Sequence, residues 1–383
     1  MKIVTDIPVL ENIPVLVRAP LNVPIENGKV TNDYRLRKAV TTVNYLRGKG
    51  ARVILISHIG EQGTETLEPV AEAFGRLVPG VSFCRESIGP AARAAIRELR
   101  PGGTLVLENL RRHKGERMND GSFAAELAAL ADVFVQDSFD TCHRLHASIV
   151  SVPKLLPSYA GLELADEVAE LRQALTPKRP AFAVIGGAKF STKEAVLTSL
   201  IEDYDHVFVG GALANDFLKA QGYGVGKSLT SPEVPKHLLH LLDNPRLVLP
   251  IDCIVVPASE AMGPKARQMA RVASLGQVNP DDIILDHGPG TSALLANLAG
   301  QASAVLWNGP LGNYECGFTD ATLALARAIS ASNAHSVVGG GDTIAAIEDA
   351  GLLSCFSFIS IGGGAMLEYL ARGSLPGIDA LER

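Results

Sequence analysis

Short runs of aliphatic and β-branched residues recur along the chain, each ending abruptly in polar or glycine residues and followed by a helical stretch. In the first half the runs are PVLVRAPLN, RVILISHIG, TLVLENLRRH and DVFVQDSFDTCHR; in the second they are AFAVIGGAK, HVFVGGA, SAVLWNGPLG, HSVVGGGD and FISIGGGA. Apolar runs without alternation predict parallel strands buried on both faces. Between them, AAELAALA at 124–131 and ATLALARAI at 321–329 predict helices. Strand and helix in turn make a doubly wound α/β fold. Ligands of such sheets bind where the strands end at their carboxyl edge.

At 383 residues the chain is long enough for two domains. VPKLLPSYAG and TPKRP bracket LELADEVAELRQAL, an amphipathic helix with Leu162, Leu164, Val168, Leu171 and Leu175 near one face. This predicts an N-terminal domain at 1–158, a hinge helix at 159–178 and a C-terminal domain at 179–370. The two sets of strand ends differ in chemistry. The first half places Arg18, His58, Arg111, His143 and Arg144 there, which suits a small anion. The second half places glycine-rich turns there, offering backbone amides at helix N-termini to nucleotide phosphates.

The formal net charge of −6 argues against a nucleic-acid binder. The five cysteines, Cys84, Cys142, Cys253, Cys316 and Cys355, form no C-x-x-C pair and fit reduced thiols in a cytoplasmic protein. The N-terminus lacks the apolar core of a signal peptide, and no apolar run approaches the ~18 residues of a membrane span. Neither nucleic acid nor membrane is an expected partner, and the chain is expected to act as a monomer.

GGAK at 186–189 follows a strand and precedes a helix, with Lys193 one helical turn beyond Lys189. Two stacked lysines at a helix start favour polyphosphate, against the plain alternative of a solvated pair on a turn. GGGD at 339–342 and GGGA at 362–365 repeat the arrangement. Either a ligand needs the bare backbone, or helix and sheet pack tightly there. Asp342 heads a helix, as an N-cap or as a Mg²⁺ ligand. GYGVGKS at 222–228 fails the P-loop pattern at Gln221 and reads as a loop. HRLH at 143–146 and HLLH at 237–240 lack further metal ligands at suitable spacing. Cys142 and His143 are adjacent and so point to opposite faces, a poor nucleophile pair.

From about residue 13 to residue 380, the ordered motifs resemble the phosphoglycerate kinase family. They are RAPLNVP, NDYRL, SHIG, LENLRRHKGE and DSFDTCHRLHAS in the first half, and GGAKFSTK, VGGALANDFLKAQG, LDHGPGT, WNGPLGNYE, VGGGDT, GGGAMLE and LPGIDAL in the second. The resemblance implies an acid-binding N-terminal domain and a C-terminal domain for ATP or ADP with Mg²⁺, with 371–383 returning to the first domain. It places Arg35, Lys189, Gly341 and Gly364 at catalytic positions, Lys189 following the transferring phosphoryl group. Asn22, His58, Arg111 and Arg144 match acid-binding positions. Gly186, Lys193, Gly210, Gly211, Asn308, Pro310, Glu315, Gly340, Asp342 and Thr343 match nucleotide positions, Asp342 also serving Mg²⁺.

The chain departs from the family pattern where the acid would bind. Pro20 replaces an aspartate that meets the acid's hydroxyl, and Glu61 replaces an arginine that meets its phosphate. Asp140 replaces a glycine, Gly290 a lysine and Ile361 a threonine. The expectation is therefore an acyl-phosphate-forming carboxylate kinase whose acid is not 3-phosphoglycerate. A genuine phosphoglycerate kinase and a non-catalytic nucleotide-binding descendant are the alternatives.

Overall fold

The computed structural model describes residues 1–188, 190–232 and 236–382, with only the backbone of Lys236 and His237. The chain divides into two compact units, one formed by Met1–Ala169 with Ser374–Arg383 and the other by Glu170–Gly373.

Beside a small hairpin at 25–30, the first unit holds a main sheet built from β1 (Pro14–Arg18), β2 (Arg52–Ile56), β3 (Val81–Cys84), β4 (Thr104–Leu107), β5 (Val133–Gln136) and β6 (Ser158–Ala160). They form one parallel sheet in the order β3-β4-β2-β1-β5-β6. The central strands are apolar because helices cover both faces: every residue of β4 and β5 is buried. Strand order reverses on either side of β1, so Arg18 at its end sits at a switch point. The closing segment Ser374–Arg383 belongs to this unit, and Gly377 N donates to Cys142 O at 2.8 Å.

In the second unit, β7 (Ala181–Ile185), β8 (His206–Val209), β9 (Leu247–Val248), β10 (Asp252–Pro257), β11 (Arg271–Ser274), β12 (Asp282–His287), β13 (Ala304–Asn308), β14 (His335–Gly339) and β15 (Phe358–Ile359) make two sheets. The larger is parallel, in the order β9-β8-β7-β13-β14-β15, and switches direction between β7 and β13. The smaller is antiparallel, β11-β10-β12, an addition to the expected pattern. The doubly wound α/β fold expected for both halves is therefore observed. FISIGGGA contributes only a two-residue strand before its glycines break the pairing.

The amphipathic helix spans Leu162–Leu175, with Leu164, Val168 and Leu171 buried, and it runs from the first unit into the second. Its N-terminus is tied to the first unit. Leu162 N donates to Thr42 Oγ1 at 2.9 Å, and Glu163 N and Leu164 N donate to Asp137 Oδ1 at 3.1 and 3.3 Å. Asp137 is fully buried, and burial outweighs these bonds and raises its pKa to about 8. With a folded pKa above the unfolded one, the folded chain holds a proton that the unfolded chain releases. Stability therefore declines as pH rises between about 4 and 8. Asp137→Asn removes that dependence. Relative to the parent, its melting temperature is expected to gain more at pH 8 than at pH 5. Thermal melts across that range check this, and an equal difference at both ends would refute it.

Candidate active site

At the carboxyl edge of the first sheet, Arg18 is 1% exposed and wholly tied up internally. It donates to Ser57 Oγ and Ala19 O, each at 3.1 Å, and to Ser148 Oγ at 3.2 Å, and its Nη2 lies 2.8 Å from His58 Nδ1. Behind it, the fully buried Glu116 accepts from Ser148 Oγ at 2.6 Å and Ser148 N at 3.0 Å. Burial, reinforced by the Arg18 charge, pushes His58 well below its ordinary value, so the ring is neutral and accepts from Arg18 through Nδ1.

The other expected acid-binding residues converge on the same edge. Asn22 Oδ1 accepts from Gly60 N at 3.3 Å, and Arg111 Nη1 donates to Gly60 O at 2.5 Å. Arg35 Nη1 donates to Asn22 O at 2.7 Å. Arg144 is exposed and close enough to Arg111 and His146 for its charge to act on both. A cavity of about 570 Å³ opens beside them, lined by Asn22, Pro24, Arg35, Gly60, Glu65 and Pro69 among others. Two carboxylates answer the arginines. Glu61 Oε2 lies 3.3 Å from Arg111 Nη1, and Asp140 Oδ2 lies 3.7 Å from Arg35 Nη1. Pro20 is buried.

In the second unit, glycine turns follow β7, β8, β13, β14 and β15, and they lock into one another. A Cβ on Gly186 would fall 2.2 Å from Pro310 O, and one on Gly211 would fall 2.7 Å from Gly187 O. On Gly210 it would meet Leu311 at 2.7 Å, and on Gly363 it would meet Gly340 Cα at 2.8 Å. Packing alone explains these four. Gly341 and Gly364 differ: a Cβ on either would meet nothing within 4 Å. Each stands in the first turn of a helix, Gly341–Asp349 or Gly363–Arg372, and leaves open space before the amides.

Lys193 and Asn308 hold this edge together. Asn308, 2% exposed, accepts from Lys193 Nζ at 3.1 Å and donates to Gly363 O at 3.2 Å. Burial lowers the Lys193 pKa to about 8. The helix begins at Glu194, with Lys193 at its N-cap and a 3₁₀ turn at Phe190–Thr192 before it. The expected stacking of Lys189 on Lys193 turns on Lys189, which lies outside the described residues, while 190–193 precedes the α-helix and is not part of it.

Asp342 is likewise not an N-cap: Gly340, at φ +104°, holds that place. The Asp342 carboxylate is exposed and lines a cavity of about 370 Å³ together with Gly211, Pro310 and Glu315. Thr343 is fully buried with Oγ1 unpartnered. No cluster of three His, Cys, Asp or Glu that could hold a metal exists among the described residues. A single exposed carboxylate beside helix amides fits Mg²⁺, which keeps most of its ligands as waters and phosphate oxygens.

Sequence reasoning missed the rest of this cavity. Asn215, Asp286 and His287 line it, and Asn215 Oδ1 and both His287 ring nitrogens are buried and unpartnered. Burial lowers His287 to about 4 and raises Asp286 to about 7. These residues come from the antiparallel sheet and the helix Leu213–Ala220, where no glycine run marks a site. GYGVGKS is a loop, and a Cβ on Gly226 would meet Asp282 O at 2.3 Å, so packing explains that glycine. Cys142 is buried and its thiol pushed well above the ordinary range by burial, which leaves it inert.

The family model for phosphoglycerate kinase matches residues 4–372. The chain belongs to the phosphoglycerate kinase family. It is 42% identical over 383 residues to the phosphoglycerate kinase of Pelotomaculum thermopropionicum, covering 96% of this chain and 95% of that one. It is 41% identical over 385 residues to that of Azorhizobium caulinodans, covering 96% of each. Among solved structures, phosphoglycerate kinase from Coxiella burnetii matches with a TM-score of 0.84 at 38% identity, covering 99% of this chain and 98% of the other. The enzyme from Pyrococcus horikoshii matches at 0.87 with 28% identity, covering 100% and 98%. A member of the phosphoglycerate kinase family is a phosphotransferase with a carboxyl group as acceptor, which sets aside the non-catalytic alternative. Among the described residues no helix is long and apolar enough to cross a membrane.

Proposed function

We propose that the enzyme transfers the γ-phosphoryl group of ATP to the carboxylate of a small acid, or returns it from the acyl phosphate to ADP. The acid would bind in the first unit and Mg-nucleotide in the second, a division of labour between 1–158 and 179–370. One observation carries the reading: Gly341 and Gly364 leave helix amides bare where packing does not require glycine, next to Lys193, Thr343 and Asp342. Amides at a helix start, a lysine and a carboxylate suited to Mg²⁺ together match a polyphosphate.

Such a transfer needs alignment and charge neutralisation more than covalent help from the protein. Lys193, positioned by Asn308, would hold a nucleotide phosphate, and Asp342 would hold Mg²⁺, which neutralises phosphate charge when bound. Gly210, Gly211, Pro310 and Glu315 would bound the nucleoside. Arg35 would orient the acid's carboxylate, and Asn22, His58, Arg111 and Arg144 would hold the remainder. The names of the relatives make 3-phosphoglycerate the reference acid. A second reading, an acid without the phosphate, is favoured by the Glu61 and Asp140 pairs.

Calorimetry with Mg-ATP and Mg-ADP tests the nucleotide half. Binding is expected, and it should weaken as pH rises through about 8, where Lys193 loses the charge that burial has destabilised. If only the charged form binds, affinity falls about fivefold between pH 8 and pH 9. Lys193→Met should weaken binding at pH 7 and flatten that profile. No nucleotide binding in the presence of Mg²⁺ would remove the proposal.

A further inference from the structure

Two of the arginines at this edge, Arg35 and Arg111, come with their own counterions. Arg111 is 5% exposed, and its Nη1 is shared between Gly60 O at 2.5 Å and Glu61 Oε2 at 3.3 Å. Arg35 lies 3.7 Å from Asp140. The Asp140 side chain is 7% exposed and accepts from Ser138 Oγ at 2.5 Å, so it cannot swing away. Arg18 is occupied by Ser57, Ala19 O, Ser148 and His58, with Glu116 behind it. His58 and His146 are held neutral by burial and by the arginines, and so add no positive charge at neutral pH. Of the residues lining the 570 Å³ cavity, Arg35 and Glu65 carry charge, one of each sign. The Glu65 carboxylate lies against Gly60, where a Cβ would meet it at 2.0 Å.

We propose that this pocket is charged for a small carboxylic acid bearing a hydroxyl or ammonium group where 3-phosphoglycerate bears its phosphate. The inference rests on the carboxylate-kinase reading above and narrows its substrate class. One carboxylate can be met by Arg35, whose guanidinium has five donors and can serve Asp140 and a ligand together. A phosphate dianion is met less well: Arg111 Nη1 is already paired with Glu61, and the cation left to hold it, Arg144, is exposed and screened by water. Asp140, Glu61 and Glu65 would repel it. The same carboxylates accept hydrogen bonds from a hydroxyl or an ammonium. Of the three, Asp140 has the largest expected influence, because it is buried and held by Ser138, whereas Glu61 is exposed and screened by water. The chemistry is unchanged. A carboxylate oxygen forms a bond to the γ-phosphorus, the bond from that phosphorus to the bridging oxygen breaks, and ADP leaves with the electron pair. No proton has to be removed from the ionised acid.

The experiment measures ADP release by the full chain with Mg-ATP and each of three acids on one carbon skeleton: 3-phosphoglycerate, glycerate and serine. Binding of the same three is followed by calorimetry. Glycerate or serine is expected to exceed 3-phosphoglycerate at least tenfold in kcat/KM. The double variant Asp140→Asn with Glu61→Gln should raise kcat/KM for 3-phosphoglycerate at least tenfold, with the gain in KM. Should the double variant not fold, Glu61→Gln alone, at an exposed position, is expected to give a smaller gain of the same kind. If 3-phosphoglycerate is the best of the three for the parent chain, above ~10⁵ M⁻¹s⁻¹, and neither variant gains, the inference is overturned while the kinase reading stands. If parent and variants turn over none of the acids, the kinase reading falls and takes the inference with it.

Discussion

Lys189→Ala is expected to lower turnover by about 10²-fold or more while leaving Mg-ATP affinity within about tenfold. Lys189 follows the β7 turn directly, four positions before Lys193. The two lysines have different tasks in the proposed mechanism. Lys193 is anchored by Asn308 and meets a phosphate that does not move. Lys189 would follow the group that does. Charge on that group changes during transfer, and one electrostatic contact aimed at developing charge contributes about 3–4 kcal/mol. That converts to roughly 10²–10³ in rate. Steady-state kinetics beside calorimetry on the same variant separate the two effects. Equal losses in binding and turnover would mean that the lysine acts on the ground state alone.

The strands and the glycine turns were legible in the sequence because both have local causes. A strand buried on both faces must be apolar throughout, and so β4 and β5 stand out as unbroken runs. A turn at positive φ, such as Gly187 at +102° or Gly309 at +95°, calls for glycine whatever else surrounds it. The use of each glycine was not legible, because it depends on how closely a distant segment approaches. Gly363 is forced by Gly340, whereas Gly364 beside it is open. Charge pairing was hidden for the same reason. The residues of Glu61 with Arg111, and of Asp140 with Arg35, are 50 and 105 positions apart. The motif reading caught both carboxylates as departures, but their partners emerge only when strand ends are brought together. Arg18 looked available for a ligand at its strand end, yet four neutral groups occupy its donors and the Glu116 and Asp140 carboxylates offset its charge.

Alanine at Gly186 and alanine at Gly341 should have opposite consequences, and the contrast tests whether the bare amides serve a ligand. At Gly186 the added methyl would lie 2.2 Å from Pro310 O and 2.6 Å from Gly309 O, both backbone atoms. Gly186 N also donates to Asn308 O at 2.8 Å, which ties β7 to β13 at the switch point. Neither side can yield without parting central strands, so overpacking should cost about 3 kcal/mol or more. For a unit of this size that lowers the melting temperature by about 6–12 °C. At Gly341 the methyl would meet nothing within 4 Å, and alanine suits a helix better than glycine. Stability should be unchanged or slightly higher, while a phosphate approaching the Gly341–Asp349 amides would meet the methyl. Mg-ATP affinity should then fall about tenfold or more. Thermal melts with and without Mg-ATP read both quantities from one sample. A Gly341→Ala protein that melts normally and still gains the full nucleotide-induced shift would show that the phosphates lie elsewhere.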